Sequence, residues 1–390
     1  MLAKAEAVEP LIFNSSPEPT IGVEMELWLV DPETRQLVPR AKDFLDHFQD
    51  ETFVKKELWQ CMVEINTVVC RSVKEARRDL DGCIARLQAL ARELGVRLIS
   101  SGTHPISDWR DQIHSEDPRY GRLLNTHRWP ASRLLISGLH VHVGVNSGEK
   151  AIAIVNSLTS YAPHMLAMSA SSPFWHGRDT GLSSGRTKIF EGLPKAGLPH
   201  FLLNWAEFVR LMRTLLNSGT IHSIRDVWWD IRPHLGFGTV EVRVCDAMPT
   251  LYENIAMVAF VQALVVYLGD LYDQGQKMPM LKNWTLAENK WRAIRYGMQA
   301  QVIRNERGEL IPMAEHLRET FDVLRPTAER LGSLEEFDRL ERMIECGNSC
   351  MRQHRVFKAS QSMERVVDHL AHEFETNTML QPGEERSFCE

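Results

Sequence analysis

The sequence predicts an α+β fold: an antiparallel or mixed sheet with helices on its apolar face and a polar face left open. Two observations lead there. Four segments alternate with period two and carry carboxylates, imidazoles or a guanidinium on one side only. Between them, and almost without interruption after residue 250, lie helical stretches with recognisable start signals. The 390 residues are 44% hydrophobic and 25% charged, which supplies a large core and excludes disordered or fibrous classes. At about 150 residues per domain, one large domain or two would fit. No linker, repeat or low-complexity stretch divides the chain, so one domain over residues 1–390 is expected, with a helical last third at about 250–376.

The first 13 residues, MLAKAEAVEPLIF, hold no apolar stretch long enough for a leader. In residues 22–30, alternation puts Glu24, Glu26 and Trp28 on one side and Val23, Met25, Leu27 and Leu29 on the other. Residues 62–69 pair Glu64 with Asn66 in the same way, opposite Val63, Ile65 and Thr67. Ser72 and Glu75 have capping-box spacing and open a helix that runs to about Gly95. In residues 138–145, His140 and His142 share a face. Helices fit residues 150–171, 204–217 and 350–376, and the pairs Thr250/Glu253, Thr285/Glu288 and Ser333/Glu336 repeat the cap spacing. Residues 177–199, rich in Gly, Pro and Ser, read as a long loop of the kind that is either a functional lid or a disordered segment. Asp230 and Arg232 lead through a turn into residues 238–245, where Glu241 and Arg243 share a face. The longest apolar run, residues 255–268, contains Gln262 and is too short to span a bilayer.

Charge and cysteine content exclude further classes. Lys plus Arg total 45 against 51 acids, a net charge of −6 that argues against a nucleic-acid binder. Seven scattered cysteines without paired spacing suit free thiols in a reducing, cytoplasmic compartment.

Chemistry concentrates on the polar strand faces. Glu24 and Glu26 stand among Val, Leu and Trp, where unpaired carboxylates repel and lose hydration. Either Arg and Lys neighbours or a divalent cation must balance them, and Glu64 and Glu241 on similar strands favour a hard cation such as Mg²⁺. His140 and His142 fit a zinc site, a polar pocket, or one ligand to Mg²⁺ or Mn²⁺. Arg232 and Arg243 either order a hairpin or hold carboxylate or phosphate oxygens. Arg292 and Arg295, three apart on a helix, make a solvated basic face or an anion site. The sequence has no GxxxxGK[ST] or GxGxxG motif, so any ATP would be held on a sheet through bridging metal rather than on a P-loop.

Seven segments stand in one order: TIGVEMEL (20–27), MVEINTVVCR (62–71), GTHP (102–105), GLHVHVG (138–144), WDIRP (229–233), GTVEVRVCD (238–246) and WRAIRYG (291–297). Together, over roughly residues 10–376, they resemble the bacterial carboxylate–amine ligases of the glutamate–cysteine ligase type 2 family. The resemblance implies a glutamine-synthetase-like fold, a curved and mainly antiparallel funnel with helices on its outer face. It also implies ATP-dependent phosphorylation of a substrate carboxylate, then attack by an amine, with glutamate and cysteine as the type substrates. Glu24, Glu26, Glu64, Glu241 and His140 would hold Mg²⁺ or Mn²⁺. His142, Arg232 and Arg243 would act on the substrate carboxylate or γ-phosphate, and Arg243 and Arg295 would hold the nucleotide. Some relatives carry Glu where this chain has Met25, a position that alternation puts on the packing face. A different amine acceptor and a metal-dependent amide hydrolase are the rival readings. No nucleic acid or membrane is expected as partner, and a homodimer is the base-rate expectation.

Overall fold

A computed structural model describes residues 11–389, so most of the first 13 residues, read above as lacking a leader, lie outside the described residues. Seven strands form one sheet: β1 (Ile21–Val30), β2 (Val54–Lys56), β3 (Met62–Asn66), β4 (Arg97–Ile99), β5 (Gly138–Gly144), β6 (Ile231–His234) and β7 (Thr239–Asp246). Their order is β6-β7-β5-β1-β3-β2, and every pairing is antiparallel. β5 pairs the first half of β1, and β4 takes the same edge further along, from Trp28 to Val30. This is the antiparallel α+β sheet that the alternation predicts.

The two faces separate as the period-two pattern requires. Val23, Met25, Leu27 and Leu29 are buried in one core with Val141, Val143, Val240 and Val242. That core is closed by the helices Val73–Leu94, Ala162–Ser169 and Leu251–Asp273. Trp28 and Met62 point the other way into a second cluster with Leu134, Leu135 and Leu193. At the end of β7 the register shifts between Val242 and Cys245. Two residues there oppose one on β5, so Val244 and Cys245 both reach the core and the alternation resets.

Several helix starts form as read. Ser72 accepts from the Glu75 N–H, and Gly95 ends that helix at φ 66°. Thr250 and Glu253 close a full capping box on Leu251–Asp273. That helix is long and apolar enough to cross a membrane, which corrects the shorter run read from the sequence, but 72% of its apolar window is buried inside the fold. Other readings need correction. Residues 150–171 break at a 3-10 turn, Thr159–Tyr161, just before Pro163. Residues 350–376 split at Gln361, φ 53°, into Ser349–Ser360 and Met363–Thr376. Thr285 is inside the helix Asn283–Tyr296 rather than at its start, and Ser333 makes no cap bond. The 177–199 segment is not structureless. It folds a short helix, Gly185–Phe190, buries Arg186, and pairs Ala196–Gly197 with Trp228–Trp229.

Candidate active site

The polar sheet face floors a cavity of about 470 Å³. Cross-strand register sets its rows: Arg232 lies opposite Glu241, Glu241 opposite His142, His140 opposite Glu24, and Glu24 opposite Asn66. One step along, Glu26 lies opposite Glu64 and Glu64 opposite Lys55. Antiparallel pairs of this kind bring side chains within contact distance, so residues far apart in sequence become one surface. Glu24, Glu26, Glu64, His140, His142, Arg232, Glu241 and Arg243 all line this cavity. Arg295 does not: it is exposed and stacks over Tyr296, away from the cavity lining.

At one end the charges are paired. Arg232 grips Glu241 through Nε at 2.7 Å and Nη2 at 3.1 Å, while Arg243 Nη1 reaches the same carboxylate at 2.5 Å. Burial opposes ionisation of Glu241, but the two guanidiniums outweigh it and hold the carboxyl well below its ordinary range. Glu24 contacts His140 Nδ1 at 3.0 Å and His142 Nε2 at 3.5 Å. Burial would raise Glu24, yet bonds to both histidines keep it well below the usual value. His140 itself is lowered to about 4 by burial and by Arg243, so it is neutral near pH 7. A carboxylate only accepts, so His140 donates its Nδ1–H and keeps an Nε2 lone pair. The His142 ring is oriented by Thr239, whose hydroxyl is 3.0 Å from Nδ1.

At the other end carboxylates crowd together. Glu26, Glu57 and Glu64 bring oxygens within 4.8 Å of one another. Burial raises Glu26 to about 7, Arg186 pulls the other way, and Glu64 adds to the rise. Burial, then Glu64 and Glu26, push Glu57 well above its ordinary value, and burial with Glu24 raises Glu64. The Gly138 N–H holds Glu26 at 2.7 Å. A Cβ at Gly138 would meet Arg186 Nη2 at 2.3 Å, so a larger residue there would displace that guanidinium.

Two further triads share Glu24: Glu24, Glu64 and His140, and Glu24, His142 and Glu241. Oxygen-rich sets with one imidazole suit Mg²⁺ or Mn²⁺, and three crowded, under-balanced acids are the group a divalent cation would relieve. Arg243 Nε and Arg186 Nε are buried without a partner among the described residues, donors left over for an anionic ligand.

Three contributors escaped the sequence reading. Glu57 follows a three-residue edge strand too short to show alternation. Arg186 lies in the segment read as loop, and its Nη2 donates to the Arg243 carbonyl at 3.3 Å. Lys290 is buried between Glu191, at 2.7 Å, and Asp230, clamping the β6–β7 hairpin onto the 177–199 segment. It sits one residue before the WRAIRYG motif, in which spacing singles out only the two arginines.

A helix-backed antiparallel sheet with acids, histidines and arginines on its open face defines the class of glutamate–cysteine-ligase-like folds. The crystal structure of a glutamate–cysteine ligase from Francisella tularensis, in complex with AMP, superposes with a TM-score of 0.67 at 12% identity, covering 96% of this chain and 92% of that one. A bifunctional glutathione synthetase from Pasteurella multocida gives 0.67 at 11% identity, over 92% of this chain and 52% of that one. The model of glutamate–cysteine ligase family 2 matches residues 20–369, and the chain belongs to that family. A Frankia casuarinae protein provisionally named glutamate–cysteine ligase 2-1 is 44% identical over 95% of this chain and 99% of its own length. A Gloeobacter violaceus protein provisionally named glutamate–cysteine ligase 2 is 43% identical over 92% and 97%.

Proposed function

We propose that this protein is an ATP- and Mg²⁺-dependent carboxylate–amine ligase that joins the side-chain carboxylate of glutamate to an amine, with cysteine the acceptor its relatives' names suggest. The observation that carries this reading is one cavity holding both crowded carboxylates and buried guanidiniums with unused Nε donors. A substrate carboxylate oxygen attacks the γ-phosphorus of ATP, and the bond to ADP breaks. The amine nitrogen then attacks the acyl carbon, phosphate departs with the acyl oxygen, and nitrogen loses a proton. Bound at the acid triads, Mg²⁺ would neutralise charge developing on the phosphates. Arg243 and Arg186 direct N–H groups at the transferring phosphoryl group or the substrate carboxylate, while Arg232 fixes Glu241 in place. Such chemistry needs positioning and electrostatics rather than a covalent nucleophile.

All seven cysteines are free thiols, which supports a reducing, cytoplasmic setting. The chain is proposed to act as one catalytic unit, with the 177–199 segment as a wall of the site and a cover for the acyl phosphate. The test incubates protein with ATP, Mg²⁺ and glutamate, varies the amine, and measures ADP. Amine-dependent ADP release is expected; no release with any acid or amine defeats the reading.

A further inference from the structure

We infer that the acceptor amine carries a bulky apolar group, which seats against an apolar compartment of the cavity next to the carboxylate trio. The inference rests on the ligase reading and specifies its substrate. Beyond the Glu26–Glu64 row the same sheet face turns apolar, because the next cross-strand pair is Trp28 and Met62. Leu58, Met62, Leu123, Leu134, Ile136 and Leu193 line the cavity there. All but Leu123 are buried, and all six belong to or pack on one hydrophobic cluster. The compartment adjoins the acids directly. Met62 precedes Glu64 by two residues on one strand face, Leu58 follows Glu57, and Ile136 precedes by two the Gly138 whose N–H holds Glu26.

The nucleotide base has a better platform at the opposite end. His234 and Phe237 stack with centroids 4.2 Å apart at 16°, and Phe237 is 59% exposed where the β6–β7 hairpin turns. Arg225 and Arg232 line the cavity beside it. Glutamate is also a poor occupant of the apolar compartment, since its charged ends would lose hydration against six aliphatic side chains. Arg119 and Lys55, exposed and lining the same cavity, suit its α-carboxylate instead. That leaves the amine. A cysteine side chain, one methylene and a thiol, offers little apolar area to these six side chains, whereas a leucine- or phenylalanine-sized group offers more.

The experiment measures amine-dependent ADP release at saturating ATP, Mg²⁺ and glutamate, with cysteine, alanine, leucine, phenylalanine and phenethylamine as acceptors. Each buried methylene is worth about fourfold in binding, so the larger apolar amines are expected to exceed cysteine and alanine at least tenfold in kcat/KM. Leu123→Asn, at a half-buried position, is expected to raise KM for those amines about tenfold and leave KM for ATP unchanged. Leu193→Asn should repeat the effect. Amine-dependent turnover that favours cysteine overturns the inference and leaves the ligase reading standing. A variant that raises KM for ATP instead of the amine also overturns it, by placing the base in the compartment. Absence of ADP with every acceptor overturns the ligase reading and the inference together.

Discussion

The two ends of the cavity handle buried charge in opposite ways. Around Glu241 the fold supplies its own counter-charge, two guanidiniums at 2.5–3.1 Å, and the acid is ionised. Around Glu26, Glu57 and Glu64 it supplies too little, and all three carboxyls are raised. The second end is the one whose acids lack protein counter-charge and would gain most from an added cation. The first is a finished structural element whose leftover donors face an anion, and the difference separates residues that hold the site from residues that wait for a ligand.

The largest effect that would break this contrast comes from Glu241→Gln. It leaves Arg232 and Arg243 as buried charges without an anion, so turnover is expected to vanish and stability to fall by roughly 3 kcal/mol, the lower end for a broken buried pair. Glu64→Gln should also abolish turnover, yet leave the metal-free protein as stable as before or more so, because Gln imitates the protonated acid that the crowded site favours. Denaturant unfolding of both variants decides it: equal losses of stability would erase the distinction between the two ends.

Next in size is the coupling of pH to Mg²⁺. Glu26 is raised to about 7, so the folded protein holds a proton that the unfolded chain releases near 4.5. Its contribution is present below pH 4.5 and is lost as pH climbs to about 7. Mg²⁺ needs the ionised acids, so the rise in Tm on adding Mg²⁺ should grow between pH 5 and 8. A rise of equal size across that range would show that the cation binds elsewhere.

Much of this was legible because β-strands have period two. Glu24, Glu26, Glu64, His140, His142, Glu241 and Arg243 could be put on faces from local spacing alone, and β1, β3, β5 and β7 bear those faces out. What local spacing could not give was partnership across the sheet. Arg232 was read as either an ion pair or a ligand clamp, and only the register opposite Glu241 shows that its fork is already engaged. Glu57, Arg186 and Lys290 were missed for the same reason. Glu57 and Arg186 sit in elements too short to show periodicity, Lys290 sits in a regular helix whose spacing does not reveal its partners, and each matters through contacts made across the fold.

The smallest expected effect is a null one, and it sharpens the contrast most cleanly. Arg295 belongs to the same helical motif that the family resemblance tied to nucleotide binding, yet it is exposed, stacks on Tyr296 with its guanidinium 4.9 Å from the ring, and is absent from the cavity lining. A surface arginine of this kind changes stability by no more than about 0.5 kcal/mol when truncated. Arg295→Ala should therefore keep KM for ATP within about twofold of the parent, whereas Arg243→Ala removes the Nε donor that no group among the described residues uses and should cost about 100-fold or more in turnover, the scale of a lost charge-stabilising donor. Comparable losses in the two variants would mean that the helix moves its arginine into the cavity when nucleotide binds, and that the paired end is less finished than its geometry indicates.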